Sequence, residues 1–156
     1  YAAPAAARVV RKDYDYAFEE EKYRGAPDIR LHEIDVARPL EIAGERIVPV
    51  SGHHSERFEV TGYRIGRMAY LTDFKTIADA EVGKLIGVEL LVVNALRFRP
   101  HPSHFNVGEA LALIARVAPR RALITHVSHE IGRHAATTAL LPRGVELAYD
   151  GLEIII

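Results

Sequence analysis

The sequence predicts a layered α/β fold in a single domain spanning residues 1–156. Three observations carry this. Leu40 to Val50 and Val60 to Thr72 each read as a β-hairpin around a glycine turn. Val88 to Ala95 is an apolar run interrupted only by Glu89 and Asn94, which reads as a strand covered on both faces. Asn106 to Ala118 begins with a capping signature, Asn106 followed by Glu109, and continues as an apolar stripe at helical spacing, ending before Pro119.

The other elements can be read in chain order. Residues 1–28 read as a helix with a frayed start: Pro4 suits a first turn, Ala5 to Val10 favour helix, and Gly25-Ala26-Pro27 closes the region. The balanced charges from Asp13 to Arg24 describe a solvated face. Ile29 to Val36 alternates as a half-buried strand would. In the first hairpin Leu40 to Ile42 and Arg46 to Val50 flank Ala43-Gly44; in the second, Val60 to Ile65 and Met68 to Thr72 flank Gly66-Arg67. Thr76 to Ile86 and Glu130 to Leu140 are expected helices, the latter weakened by Gly132. Ala122 to Thr125 is a short strand, and Val145 to Tyr149 with Leu152 to Ile156 flank an Asp150-Gly151 turn.

Composition narrows the function. Lys plus Arg number 20 against 21 for Asp plus Glu, a net charge of −1, which argues against a strongly basic surface for nucleic acid while leaving room for a local patch. With no cysteine, a disulfide scaffold, a thiolate metal site and a cysteine nucleophile are excluded. No apolar run is long enough to span a bilayer and no secretory leader is present, so a cytoplasmic location is expected. Tyr1 begins the chain and Met68 is its only methionine, so a segment is expected upstream. Ser55, Ser103 and Ser128 lie near histidines, but none sits in a Gly-x-Ser-x-Gly elbow. Neither a dinucleotide fingerprint nor a phosphate-binding glycine loop occurs.

The eight histidines point to the chemistry. His53 and His54 come after the strand ending at Val50, and Asp73 comes after Met68 to Thr72. His101 and His104 come after Val88 to Ala95; His126, and then His129 and His134, come after Ala122 to Thr125. Ligands of layered α/β folds gather at one end of the strands, so these groups can converge. Imidazole nitrogen and carboxylate oxygen without thiolate suit Zn²⁺, Mn²⁺ or iron. A carboxylate after a strand can bridge two metals.

Three runs carry a family resemblance. They are Thr61-Gly62-Tyr63-Arg64-Ile65-Gly66 leading to Ala69-Tyr70-Leu71-Thr72-Asp73, Asn94-Ala95-Leu96-Arg97 leading to His101-Pro102-Ser103-His104-Phe105, and Leu123-Ile124-Thr125-His126-Val127-Ser128-His129 with Tyr149-Asp150-Gly151 downstream. In this order the chain resembles the metallo-β-lactamase superfamily, and within it the phosphoribosyl 1,2-cyclic phosphate phosphodiesterase group. The resemblance implies an αββα sandwich with a dinuclear Zn or Mn site along one edge. It also implies a metal-dependent phosphodiesterase that acts on a small cyclic phosphate ester through a metal-activated water. His54, Asp73 and His126 match metal ligands, with Asp73 the bridge. His104 matches the general acid or phosphate-steadying histidine, and His129 a supporting position. The loop to Gly62 is one residue longer than the family's, which leaves His53 as the alternative ligand to His54.

The family's His-x-His-x-Asp-His signature is absent from these residues. The chain is therefore expected to be the downstream part of a longer enzyme, incomplete on its N-terminal side and inactive by itself. The alternatives are a nuclease-like or other hydrolase of the same superfamily, and a non-catalytic remnant that has lost the metal motif. The expected partner is a small-molecule phosphate ester, with no membrane partner; an exposed sheet edge leaves homo-oligomerisation open. The expected architecture has two β-layers with helices outside, the Asn106 helix packed on the Val88 strand.

Overall fold

A computed structural model describes residues 1–156. Its centre is one seven-stranded sheet in simple sequence order. The strands are β1 (Leu40–Ile42), β2 (Glu45–Ser55), β3 (Phe58–Ile65), β4 (Met68–Leu71), β5 (Leu90–Asn94), β6 (Arg121–Thr125) and β7 (Val145–Leu147). β1 to β4 pair antiparallel, and β4 to β7 pair parallel. β2, β4, β5 and β6 therefore all run the same way, and their C-terminal ends share one edge of the sheet.

Both hairpins and the apolar strand form where the sequence places them. β5 is buried at all five positions, its four apolar residues and the terminal Asn94 alike. On one face Leu91 and Val93 meet the helix α3 (Val107–Val117), whose Ala110, Leu113, Ile114 and Val117 are buried. The α3 cap is the one the sequence describes. Asn106 Oδ1 accepts from Glu109 N at 2.9 Å, and Glu109 Oε2 accepts from Asn106 N at 2.8 Å. On the other face Leu90, Val92 and Leu123 are covered by Met68 and by Leu152 and Ile154 of the C-terminal tail. No helix is long and apolar enough to cross a membrane.

Six expectations change. The chain forms a single sheet rather than two β-layers; the tail, not a second sheet, lies over Leu90 and Val92. Of residues 1–28, only α1 (Pro4–Asp13) and a 3-10 turn at Asp15–Ala17 are helical, because Ala7 and Ala17 alone are buried and the rest has no apolar face to dock. Ile29 to Val36 is not a strand; one bridge joins Glu33 to Ala2, and only Ile34 is buried. The helix expected from Thr76 is the short α2 (Asp79–Gly83), since the backbone of Thr76 is engaged in a bridge to His53. Gly132, at φ 93°, splits the next helix into a 3-10 turn (His129–Ile131) and α4 (His134–Thr138). Leu152 to Ile156 forms no strand, although the turn at Asp150-Gly151 closes through Leu152 N to Tyr149 O at 3.1 Å.

Candidate metal centre

The site is built where β2, β4, β5 and β6 end together. The β2–β3 ladder shifts register between His53 and Ser55, a bulge that leaves His54 unpaired. His53 stays in line: its backbone bridges Thr76 and its side chain is exposed. His54 turns to the site, with Nδ1 3.0 Å from the backbone oxygen of Asp73. A carbonyl only accepts, so Nδ1 carries the hydrogen and Nε2 keeps its lone pair.

Asp73 and His126 leave their strands in the left-handed region, at φ 63° and 55°. Such backbone costs of order 1 kcal/mol for a residue with a Cβ and collects where function demands it. The next residue in the chain, Phe74, anchors Asp73. Phe74 N donates to Asn94 Oδ1 at 2.8 Å and Phe74 O accepts from Asn94 Nδ2 at 2.9 Å, with Asn94 wholly buried. The same Phe74 oxygen accepts from Phe105 N at 2.8 Å, which ties the His104 loop to the Asp73 loop. Lys75 Nζ adds a 2.7 Å ion pair to Glu109 in the α3 cap. Close approach of Phe74 also explains Gly52: a Cβ there would stand 2.2 Å from the ring.

The functional groups then converge. Asp73 Oδ1 lies 3.3 Å from His104 Nε2 and 3.3 Å from His126 Nε2, and those two nitrogens are 3.1 Å apart. The His54 ring meets the His104 ring edge-on at 4.4 Å between centroids. Ligand atoms of His54, Asp73 and His104 all fall within 4.8 Å of one another. Burial holds the His104 imidazole below its ordinary pKa; the neighbouring His54, His126 and His101 push the same way, against the Asp73 hydrogen bond. His101 is likewise lowered, by burial first and then by Arg97 and Lys75. The His104 ring is thereby biased towards its neutral form.

Of the residues singled out in the sequence, His54, Asp73, His104 and His126 come together. His53 and His129 do not: His53 lines a neighbouring cavity, and His129 opens the exposed 3-10 turn. His134 is structural, with Nε2 3.0 Å from Leu147 O. Sequence reasoning assigned no role to Asn94 or Gly52; His101, one of the groups expected to converge, lies behind His104, its Nδ1 3.1 Å from His104 Nδ1. The signal for Asn94 was present as the one polar residue at the end of an apolar strand.

The donor set fits a divalent cation. Imidazole nitrogens and a carboxylate oxygen converge on one small volume with no thiolate among them, a set that suits Zn²⁺ or Mn²⁺. A cavity of about 750 Å³ opens beside Thr72 and Asp73, walled by Pro4, Arg8, Val36 and Tyr63.

Comparison with known proteins agrees with this fold. Residues 1–127 match the family model of the beta-lactamase superfamily domain. The chain belongs to the metallo-β-lactamase superfamily, with its α/β fold. Among solved structures, a diphosphatase from the PhnP family is 34% identical and superposes with a TM-score of 0.87 over 97% of this chain and 55% of that one. The fold is shared at 15% identity by the metallo-β-lactamase fold protein YhfI from Bacillus subtilis, with a TM-score of 0.66 over 90% of this chain and 59% of that one. Human tRNase Z, short form, shares it at 17% identity, with a TM-score of 0.56 over 72% of this chain and 44% of that one. A protein from Porphyromonas gingivalis named octanoyltransferase is 35% identical over 148 residues, which are 94% of this chain and 30% of that protein. The chain thus spans about half the length of the PhnP-family structure and under a third of the curated relative.

Proposed function

We propose that these residues form part of a metal-dependent phosphodiesterase acting on a small cyclic phosphate ester. The observation that carries this reading is the approach of Asp73 Oδ1, His104 Nε2 and His126 Nε2 to within 3.1–3.3 Å of one another at the shared strand edge. The PhnP-family likeness, to a diphosphatase, supports phosphoryl chemistry in particular.

In this reading His54, Asp73 and His126 are the chain's contribution to a site for two divalent ions, Zn or Mn. Such ions supply an acidified water and offset the charge of the phosphate. His54 is oriented for this by its Nδ1–H bond to the Asp73 carbonyl, which aims the Nε2 lone pair outward. Asp73 is fixed by Asn94 through Phe74, so its carboxylate needs little rearrangement. His104 transfers the proton required by the leaving oxygen. The cavity beside Asp73 receives the body of the ester.

The test is hydrolysis of a ribose 1,2-cyclic phosphate by the full-length protein with Zn²⁺ or Mn²⁺. Asp73→Asn is expected to abolish turnover and weaken metal binding. His104→Ala is expected to keep the metals and lose roughly 10²–10⁴ in turnover, less with a nitrophenolate leaving group. Residues 1–156 alone are expected to bind metal weakly, since affinity depends on donor count and preorganisation. No metal-dependent hydrolysis by the full-length protein, or tight binding of two ions by residues 1–156 alone, contradicts the reading.

A further inference from the structure

The run Asn94-Ala95-Leu96-Arg97 ends in a side chain that the site described above does not use. The backbone around Arg97 is pinned where three segments meet. Leu96 N donates to Phe105 O at 2.9 Å, Leu96 O accepts from Ser128 N at 2.9 Å, and Arg97 O accepts from Val107 N at 3.0 Å. These bonds close the neck of the loop that carries His104, residues 98–104, and leave its interior untied. Residues 98–104 make no backbone–backbone hydrogen bond, and Pro100 and Pro102 have no N–H to offer. The backbone of this loop has one hydrogen bond to a residue outside it: Pro100 O accepts from Arg97 Nη2 at 3.0 Å.

The same guanidinium reaches the other way. Arg97 Nη1 donates to Glu130 Oε1 at 2.8 Å, and Glu130 follows His126 in the segment that Ser128 ties to Leu96. One planar fork therefore joins the His104 loop to the His126 segment, its two Nη atoms held at a fixed angle. The fork adds little to stability. Its ion pair is partly exposed, where such pairs contribute little. Arg97 Nε is also buried without a partner, a cost that an apolar side chain of similar length avoids. What the fork decides is placement. We propose that Arg97, paired with Glu130, is a positioning residue that holds the His104 loop against the His126 segment and so sets the 3.1 Å approach of the two imidazoles and the 3.3 Å approach of each to Asp73.

Arg97 makes no hydrogen bond to Asp73, His104 or His126; it acts through the loop backbone and Glu130. The consequence for the reaction rests on the function proposed above, whereas the placement of the loop does not. Without the fork the backbone of residues 98–104 is tied at its neck alone, and the His104 ring is carried off the line to the leaving oxygen. A misplacement of about 1 Å costs on the order of 10²-fold in rate. Because this loss runs through His104, it vanishes once the His104 imidazole is removed.

The experiment measures ¹⁵N relaxation at the His101 and Ser103 amides of the full-length, metal-free protein, where no ion ties the rings together. Wild-type order parameters are expected near ~0.85, as in rigid backbone, and those of Arg97→Met below ~0.6. The urea midpoint of Arg97→Met is expected to stay at the wild-type value, since Pro100 is exposed and water takes up its carbonyl. Glu130→Gln, whose Oε1 still accepts from Nη1, is expected to keep the wild-type order, and Glu130→Ala to fall between the two. In hydrolysis with metal present, Arg97→Met is expected to lower kcat roughly 10–10²-fold, less with a nitrophenolate leaving group, and to cost nothing further in a His104→Ala background. Wild-type order at His101 and Ser103 in a folded Arg97→Met protein overturns the proposal. So does a urea midpoint that falls in step with that order, or a rate loss that adds in full to that of His104→Ala. Should Arg97→Met not fold, equal order in Glu130→Ala and Glu130→Gln overturns it. Absence of ester hydrolysis by the wild type counts against the proposed function, and the amide order then decides this assignment by itself.

Discussion

Asn94→Ala isolates the device that holds the carboxylate in place. In the wild type Asn94 is wholly buried and makes two bonds of 2.8 and 2.9 Å to the backbone of Phe74. The substitution leaves the Phe74 carbonyl satisfied, because Phe105 N still donates to it at 2.8 Å. The Phe74 N–H, in a residue fully withdrawn from solvent, loses its only acceptor on Asn94. An orphaned buried donor costs about 1–3 kcal/mol, and the second lost bond about 1 kcal/mol more. The expected loss is about 2–4 kcal/mol, or roughly 6–12 °C in Tm at ~3 °C per kcal/mol for a domain of this size. Urea unfolding monitored by circular dichroism measures it. Asn94→Asp separates the two bonds: its carboxylate accepts from Phe74 N–H but cannot donate to the carbonyl, and it buries a charge, so it too is destabilising. A loss under about 0.5 kcal/mol for Asn94→Ala refutes the reasoning, since it means that the Phe74 N–H finds another partner or was never committed.

Two further outcomes are expected. Gly52→Ala places a methyl 2.2 Å from the Phe74 ring and 2.8 Å from Thr76 O, so a loss of at least about 1–3 kcal/mol is expected in denaturant titration; Gly83→Ala, with nothing within 4 Å, is expected to be neutral or to gain up to about 1 kcal/mol. Burial raises the Tyr63 pKa above its ordinary value of 10.0, so the folded state keeps a proton that the unfolded state loses; stability therefore falls as pH rises from 10.0 through the folded value, and urea midpoints of Tyr63→Phe are expected to decline less steeply there.

The elements legible in the sequence are those whose local chemistry and burial agree. β5 could be read because both its faces are covered, and α3 because Asn106 and Glu109 cap it independently of its neighbours. The elements that could not be read are those whose partner decides. Ile29 to Val36 has the alternation of a strand but only Ala2 beside it, and Leu152 to Ile156 serves as a cover for Leu90 rather than as a strand. At the site, the four converging groups were legible because each lies at or beyond the end of a strand. The choice of His54 over His53 was not, because it depends on a one-residue bulge in β2.

The common direction of β2, β4, β5 and β6 also divides the molecule into two edges that can be altered separately. Every converging side chain leaves from one edge, while the entries to β2, β4 and β5 lie at the other, at Gly44, Gly66 and Gly87. All three glycines have positive φ, which strains any side chain placed on them, so an insertion beside them suits this end better than a substitution. A fluorophore, an affinity handle or an inserted peptide joined at the Gly66 turn would be attached a full strand length from Asp73, on the far side of the sheet's hydrogen-bonded ladder. The protein can therefore be tethered to a surface or tagged at that edge while the imidazole edge faces the solution.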